Sequence, residues 1–220
     1  CARLEEARAI AVIDPVRATR AEIAKLTAQK VVGFRANLVT AGQTDPQICA
    51  DYLRALDERL AGSTAALEIY LPSATLIALA PCLERLNRPV ILDHFAGLTL
   101  GSLAGDLDGI TDLLKFEHLY LKASGACRAL GYGRPTAAFD EAARQLFDVA
   151  RGRVLWGSDW PHTGPSAQRK IRPWDEIEPF MPIDDGQALD DLDRWLSDPA
   201  QLQEILEKTP ENLFFLTPPA

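Results

Sequence analysis

The sequence has 220 residues, of which 47% are hydrophobic and 25% are charged, and its formal net charge at pH 7 is −8. This composition is typical of one folded domain with a substantial core. A nucleic-acid-binding surface would need clustered lysine and arginine, and no apolar run approaches the roughly 18 residues of a membrane span. We therefore expect neither a nucleic acid nor a membrane as a partner.

The four cysteines lie far apart in the sequence, at positions Cys1, Cys49, Cys82 and Cys127. Because no CxxC spacing occurs, reduced thiols are expected rather than disulfides or a zinc knuckle. Reduced thiols indicate a cytoplasmic protein. The chain opens with a helix-like segment rather than a secretion signal, and we expect it to start partway through a longer product.

Short apolar runs alternate with helical patterns along the whole chain. The predicted strands are Ala9–Asp14, Val31–Leu38, Leu67–Leu71, Pro89–His94, Leu119–Ser124 and Val154–Gly157. Parallel strands need crossover helices to return to the same edge, so this alternation predicts an α/β fold with a parallel sheet.

Two of the intervening helices carry particular expectations. The helix after the second strand is predicted to bury one row of side chains, namely Ile48, Tyr52, Leu56 and Leu60. The helix after the third strand contains Pro81, which should kink it or restart it because proline lacks an N–H.

Polar residues recur at the ends of many predicted strands. They are Arg35, Asn37, Tyr70, His94, Lys122, Ser124 and Asp159. An open doubly wound sheet gathers ligands only at its switch point, whereas a barrel places all its strand ends around one mouth. The glycine-rich phosphate loops of doubly wound folds, GxGxxG and GxxxxGK, are also absent from the sequence.

We therefore predict a (β/α)8 TIM-barrel type of fold, with residues 1–220 forming a single domain. Six strand–helix units are two short of eight. We expect the first two strand–helix units to precede Cys1, so that the barrel is incomplete here.

Asp159 and His94 are the candidate catalytic residues, because each follows a buried strand where α/β enzymes place their chemistry. Asp159 suits a general base or a metal ligand. The alternatives are a structural carboxylate that caps a helix or pairs with Arg153, and a histidine that is satisfied within the core.

Basic and polar groups surround these two candidates. Arg35 and Asn37 share one face of their strand, as do Lys122 and Ser124, and Arg128 follows closely. Such groups suit a substrate that carries a carboxylate. The alternative for the basic pair Arg35 and Lys122 is internal ion pairing with Glu68 and Asp93.

The segment after Asp159 is long and lacks a helical pattern. His162 either contacts substrate or makes a structural bond to this segment. The loop 163–185 contains Arg169, Lys170, Arg172, Trp174 and Phe180. It is either a lid over the site or an excursion without function.

Four segments carry a family resemblance: Val32–Leu38, Val90–Gly97, Leu121–Gly125 and Val154–His162. They resemble the amidohydrolase-related family, and in particular its lactonases of the 2-pyrone-4,6-dicarboxylate hydrolase type. The run Trp-Gly-Ser-Asp-Trp-Pro-His in the last segment is the most specific match. The resemblance extends over essentially the whole chain.

The resemblance implies that the six strands are the third to the eighth of a (β/α)8 barrel. It implies that Asp159 activates water or binds metal, and that His94 is the histidine of the sixth strand. Arg35, Tyr70 and Arg128 would bind substrate carboxylates or line the pocket. The first-strand His-x-His pair of the family is absent from the chain. Tyr70 replaces a metal-binding histidine of many members, so a two-metal site is not expected.

Together these observations predict a hydrolase of aromatic degradation that opens a small carboxylated lactone or cyclic ester. Asp159 would take a proton from water and His94 would polarise the carbonyl. The expected substrate-binding residues are Arg35, Asn37, Tyr70, Lys122, Ser124, Arg128 and His162. The expected cofactor is none, or one divalent ion such as zinc bound by Asp159. The alternatives are a metal-dependent decarboxylase of the same superfamily and a truncated, non-catalytic domain that forms a homo-oligomer.

Overall fold

Six parallel strands form one curled sheet. The computed structural model describes residues 7–131, 133–164, 173 and 175–215. Within these ranges each strand pairs with the next along the chain, in the order β1-β2-β3-β4-β5-β6. The strands are β1 Ala9–Ala11, β2 Val31–Asn37, β3 Ala66–Tyr70, β4 Val90–Leu92, β5 Leu119–Ser124 and β6 Val154–Gly157. Sequential order is that of a barrel wall, so the predicted parallel α/β fold is confirmed as part of a barrel.

Helices connect the strands and follow the last one, and most of them cover one face of the sheet. They are α1 Arg20–Ala28, α2 Leu38–Ala41, α3 Pro46–Arg59, α4 Ser73–Ala78, α5 Ala80–Leu83, α6 Leu103–Leu113, α7 Ala126–Ala129, α8 Ala137–Val149, α9 Asp185–Trp195, α10 Ala200–Gln203 and α11 Thr209–Phe214. A π-helical turn, Glu204–Lys208, joins the last two. None of the helices in the described ranges is long and apolar enough to cross a membrane.

The helix after β2 buries a different row of side chains from the predicted one. Cys49, Leu53, Leu56 and Leu60 are fully buried, whereas Ile48 is 51% exposed. The two rows share Leu56 and Leu60, which are buried as predicted, but Cys49 and Leu53 replace Ile48 and Tyr52 because the cysteine packs as a small apolar residue. The break expected at Pro81 is confirmed, because α4 ends at Ala78 and α5 begins at Ala80.

Four predicted strands end earlier than expected, the second and third by one residue and two others by more. The first ends at Ala11 rather than Asp14, and β4 ends at Leu92 rather than His94. After β4 the backbone enters a left-handed turn, in which the φ angles of His94, Phe95 and Ala96 are 50°, 52° and 53°. Left-handed residues cannot continue a strand, so the chain reverses there.

The sheet separates two apolar clusters. Leu67 and Ile69 of β3 are fully buried in the large cluster beneath the helices. The opposite face, which we call the inner face, carries a smaller cluster that includes Ile91 and Leu155 and packs against Leu213 of α11. Because side chains alternate along a strand, Glu68 lies on the inner face between apolar neighbours that point to the helices.

Four charged side chains on the inner face form a closed ring, which we call the charge ring: Arg35, Glu68, Lys122 and Asp93. Arg35 Nε lies 2.7 Å from Glu68 Oε1, and Lys122 Nζ lies 3.0 Å from Glu68 Oε2. Lys122 Nζ also lies 3.4 Å from Asp93 Oδ1, and Arg35 Nη2 donates to Asp93 Oδ2. The side chains of Glu68 and Asp93 are 4% and 0% exposed. The ring therefore ties β2, β3 and β5 to the end of β4.

Replacing Glu68 with glutamine should destabilise the fold strongly. The substitution leaves two partly buried cations to share one carboxylate, and breaking a buried ion pair typically costs about 3 kcal/mol or more. The control is Asp51→Asn, which breaks an exposed pair with Arg54 and should cost less than about 1 kcal/mol. Urea unfolding measures both. Equal, small losses would show that the ring does not stabilise the sheet.

Gly97 should tolerate no side chain. Its φ is +67°, and a Cβ there would lie 2.0 Å from the Leu71 carbonyl oxygen. Gly97→Ala should therefore lower the free energy of unfolding by more than about 2 kcal/mol, since left-handed strain alone costs about 1–2 kcal/mol. Gly62→Ala is the matched control, because Gly62 has φ +85° and no atom within 4 Å of the added Cβ. A loss in Gly97→Ala no larger than in this control would contradict the predicted clash.

Candidate active site

His94, Ser124 and Asp159 converge at the carboxyl ends of β4, β5 and β6. His94 Nδ1 lies 3.0 Å from Ser124 Oγ, and His94 Nε2 lies 3.7 Å from Asp159 Oδ1. The imidazole is buried, with 7% of the residue exposed. A base, a hydroxyl and a carboxylate are thus brought together from three strands, at the end of the sheet where barrel enzymes react.

The left-handed turn after β4 orients the imidazole of His94. The imidazole packs edge-on against the ring of Tyr70, and the two ring centroids are 4.7 Å apart. The turn closes at Gly97, which lies against the Leu71 backbone and holds the turn beside β3. Non-glycine residues with positive φ cost about 1–3 kcal/mol each and cluster at functional sites, which agrees with the position of His94.

Asp159 also has a left-handed backbone, with φ at 65°. Its Oδ2 accepts a hydrogen bond from Arg128 Nε at 2.6 Å, and Arg128 Nη2 donates to the Thr163 carbonyl at 3.2 Å. The alternative pairing with Arg153 is not observed, because the Arg153 guanidinium donates to backbone carbonyls instead.

Gly125 makes room for both candidate catalytic side chains. A Cβ at this position would lie 2.8 Å from His94 Nδ1 and 3.1 Å from Asp159 Oδ2. Its φ of +56° is a second reason for glycine. Gly125 was not predicted as a site residue, although a glycine directly after the polar residues Lys122 and Ser124 could have indicated one.

Burial and the charge ring set the protonation of the site. Burial lowers the pKa of His94 below its usual value, and Asp93 and Asp159 oppose this only in part. Burial would raise the pKa of Asp93, but Lys122, His94 and Arg35 together hold it below the usual value. The pKa of Lys122 is raised, since Asp93 and Glu68 outweigh the effect of burial. The site therefore combines a neutral imidazole with an ionised Asp93 at neutral pH.

The predicted site residues divide into three groups. Tyr70 and Arg128 contact His94 and Asp159, as described above. Arg35 and Lys122 lie one step away, in the charge ring that holds Asp93. The Asn37 side chain caps α2 instead, where its Oδ1 accepts from Thr40 N at 3.1 Å.

His162 lies against α9. Its Nε2 is 3.1 Å from Asp185 Oδ1, and the residue is 6% exposed. Neither ring nitrogen of His162 makes a hydrogen bond with the described residues, so the role of its side chain stays a prediction. Of the predicted loop, Phe180 contacts Trp160 with ring centroids 6.3 Å apart, while Arg169, Lys170, Arg172 and Trp174 lie outside the described residues.

The residues present do not fit a metal ion. In the part of the chain that the structure describes, no group of three or more histidine, cysteine, aspartate or glutamate side chains could hold one. His94 and Asp159 provide two candidate ligands, and Asp159 Oδ2 already accepts from Arg128. The reaction that we propose for this site therefore uses only side chains of the protein.

Comparison with known proteins finds two lactone-converting enzymes that are similar to this chain. A 4-sulfomuconolactone hydrolase from Rhizobium radiobacter is 32% identical over 128 residues, which cover 57% of this chain and 39% of that protein. A D-galactarolactone isomerase from Agrobacterium fabrum is 25% identical over 216 residues, which cover 97% of this chain and 68% of that protein. The chain therefore matches well under half the length of the hydrolase.

A solved structure agrees with these sequence matches. A Pseudomonas putida protein assigned to the 2-pyrone-4,6-dicarboxylic acid hydrolases superposes with a TM-score of 0.66 and 26% identity, covering 90% of this chain and 68% of that one. Residues 5–216 match the model of the amidohydrolase family. Because this match spans nearly the whole chain, the resemblance predicted from the strand-end motifs is confirmed, and the chain belongs to the amidohydrolase family.

Proposed function

We propose that this chain carries the reaction centre of a hydrolase that opens a small carboxylated lactone, with Asp159 as the general base. The observation that carries the proposal is the approach of Asp159 Oδ1 to His94 Nε2, 3.7 Å apart at the ends of neighbouring strands. The similarity to a sulfomuconolactone hydrolase and a galactarolactone isomerase supports a lactone as the substrate class.

Each step of the ring opening has a candidate group. Asp159 takes a proton from water as the water oxygen attacks the lactone carbonyl carbon. The carbonyl oxygen gains negative charge, which a hydrogen bond from neutral His94 stabilises. The carbonyl then re-forms, the ring C–O bond breaks, and the leaving oxygen takes the proton from Asp159. The new carboxylic acid loses its proton to the solvent, so the products are a carboxylate, a hydroxyl group and one released proton; in an unsaturated lactone the hydroxyl group can be an enol.

Cations around the base suit the substrate's carboxylate. Arg128 donates a hydrogen bond to Asp159. The side chains of Arg35 and Lys122 at the inner face are 25% and 27% exposed. We propose that these three attract the substrate, although the protein as a whole is acidic, and that Tyr70 and His162 line the surrounding pocket.

We propose that the six strands are the third to the eighth of a (β/α)8 barrel and that residues 1–220 belong to that one domain. We also propose a cytoplasmic location.

A lactone isomerase is the second candidate function. It is favoured by the galactarolactone isomerase, whose match covers 97% of this chain. The two reactions differ in their products, because hydrolysis releases one proton per turnover at neutral pH, whereas isomerisation releases none.

Asp159→Asn should lower lactone hydrolysis by about 10²- to 10⁴-fold, the usual contribution of a positioned base. The assay follows proton release and product NMR spectra with five- and six-membered lactones that carry a carboxylate. Asp112→Asn, which alters an exposed pair with Lys115, is the matched control and should keep wild-type rates.

Undiminished hydrolysis by Asp159→Asn would overturn the role of the base. A wild-type protein that converts lactones without releasing protons would favour the isomerase instead.

A further inference from the structure

The Ser124 hydroxyl lies between two acceptors but has one proton. Ser124 Oγ is 3.0 Å from His94 Nδ1 and 3.2 Å from Asp93 Oδ1, and the residue is 3% exposed. Either the hydroxyl donates to Asp93 and accepts from the ring, or it donates to the ring. The choice fixes which nitrogen of His94 carries the proton.

The surroundings of the other ring nitrogen decide this choice. His94 Nε2 lies 3.3 Å from Asp93 Oδ2 and 3.7 Å from Asp159 Oδ1. Ionised carboxylates only accept hydrogen bonds, so a bare Nε2 would direct its lone pair at two negative oxygens. A proton on Nε2 removes this repulsion and leaves Nδ1 of the neutral ring as an acceptor.

Asp93 does not depend on the Ser124 proton. Its Oδ1 also accepts from the His94 backbone N–H at 3.1 Å and lies 3.4 Å from Lys122 Nζ. Its Oδ2 accepts from Arg35. Among the residues that the structure describes, by contrast, Ser124 is the only hydrogen-bond donor next to the buried His94 Nδ1. Turning the hydroxyl to the ring therefore satisfies every one of these atoms.

We propose that Ser124 is a positioning residue that donates to His94 Nδ1 and so fixes the proton of His94 on Nε2. The protonated Nε2 then lies near Asp93 Oδ2 and Asp159 Oδ1, and the carbonyl oxygen of a lactone bound beside Asp159 would accept its proton in a hydrogen bond. The catalytic consequence rests on the proposed function, but the tautomer itself does not. This assignment replaces direct substrate binding as the role of Ser124.

The tautomer can be read directly by ¹⁵N NMR of the wild-type chain at neutral pH. The chain has three histidines, and the His94 signals are those that disappear in His94→Gln. We expect a protonated Nε2 and an unprotonated Nδ1. A wild-type spectrum with the proton on Nδ1 would overturn the proposal, whether or not any lactone is hydrolysed.

Ser124→Ala removes the donor to Nδ1 but keeps both carboxylates at Nε2, so the Nε2–H form should stay the major tautomer while a measurable fraction of the Nδ1–H form appears. The matched control is Ser73→Ala, because Ser73 is equally buried at 2% exposure and donates to Asp106 at 2.6 Å, outside the site. The control should lose similar stability while the His94 signals stay unchanged. An unaltered tautomer in Ser124→Ala would also overturn the proposal.

The kinetic counterpart is a fall in kcat of about 10- to 100-fold in Ser124→Ala, the usual effect of removing the group that orients a functional histidine. KM should change little, since Ser124 does not hold the substrate. A rise in KM with kcat unchanged would instead return Ser124 to substrate binding. If the wild-type protein hydrolyses no lactone, the proposed function fails while the NMR result still decides the tautomer.

Discussion

Two carboxylates that are almost entirely removed from solvent determine how the inner face of this sheet is arranged. An unpaired carboxylate in the positions of Glu68 or Asp93 would cost several kcal/mol, because burial removes its hydration. Each of them contacts both Arg35 and Lys122, so neither is left with a single partner. This arrangement requires β2, β3, β4 and β5 to keep one register at their carboxyl ends.

The candidate site depends on this ring through Asp93. The same carboxylate that binds the two cations also contacts the backbone and ring of the next residue, His94. His94 in turn sits in a left-handed turn that the close approach of Gly97 to Leu71 holds in place. The imidazole is therefore oriented by a turn that contacts with rigid strand ends hold in place, which favours a precise reaction geometry.

The positions of the strands could be predicted from the sequence better than the contacts between side chains. The strands β5 and β6 agree with the prediction residue for residue, because apolar runs and polar ends define them locally. The predicted end of β4 was wrong by two residues. No residue in the run Pro89–His94 indicates a left-handed turn, and the first glycine after it is Gly97. The partner of Asp159 is likewise set by tertiary structure, which places Arg128 nearby and engages Arg153 elsewhere.

The charge ring also shows why Arg35 and Lys122 can form internal ion pairs and still bind a substrate. Their contacts with Glu68 and Asp93 are internal ion pairs, yet about a quarter of each side chain stays exposed. The carboxylates fix the cations in place, and the exposed parts can still attract an anionic substrate. Structural and functional roles thus fall on the same side chains.

The central claim is that four charges act as one unit, and a double-mutant cycle between Arg35→Met and Lys122→Met tests it most directly. The two cations make no bond with each other, but they share both carboxylates. The account predicts that their effects on the free energy of unfolding are non-additive by more than about 0.5 kcal/mol. Additive effects would contradict it, because they would show that the pairs are independent.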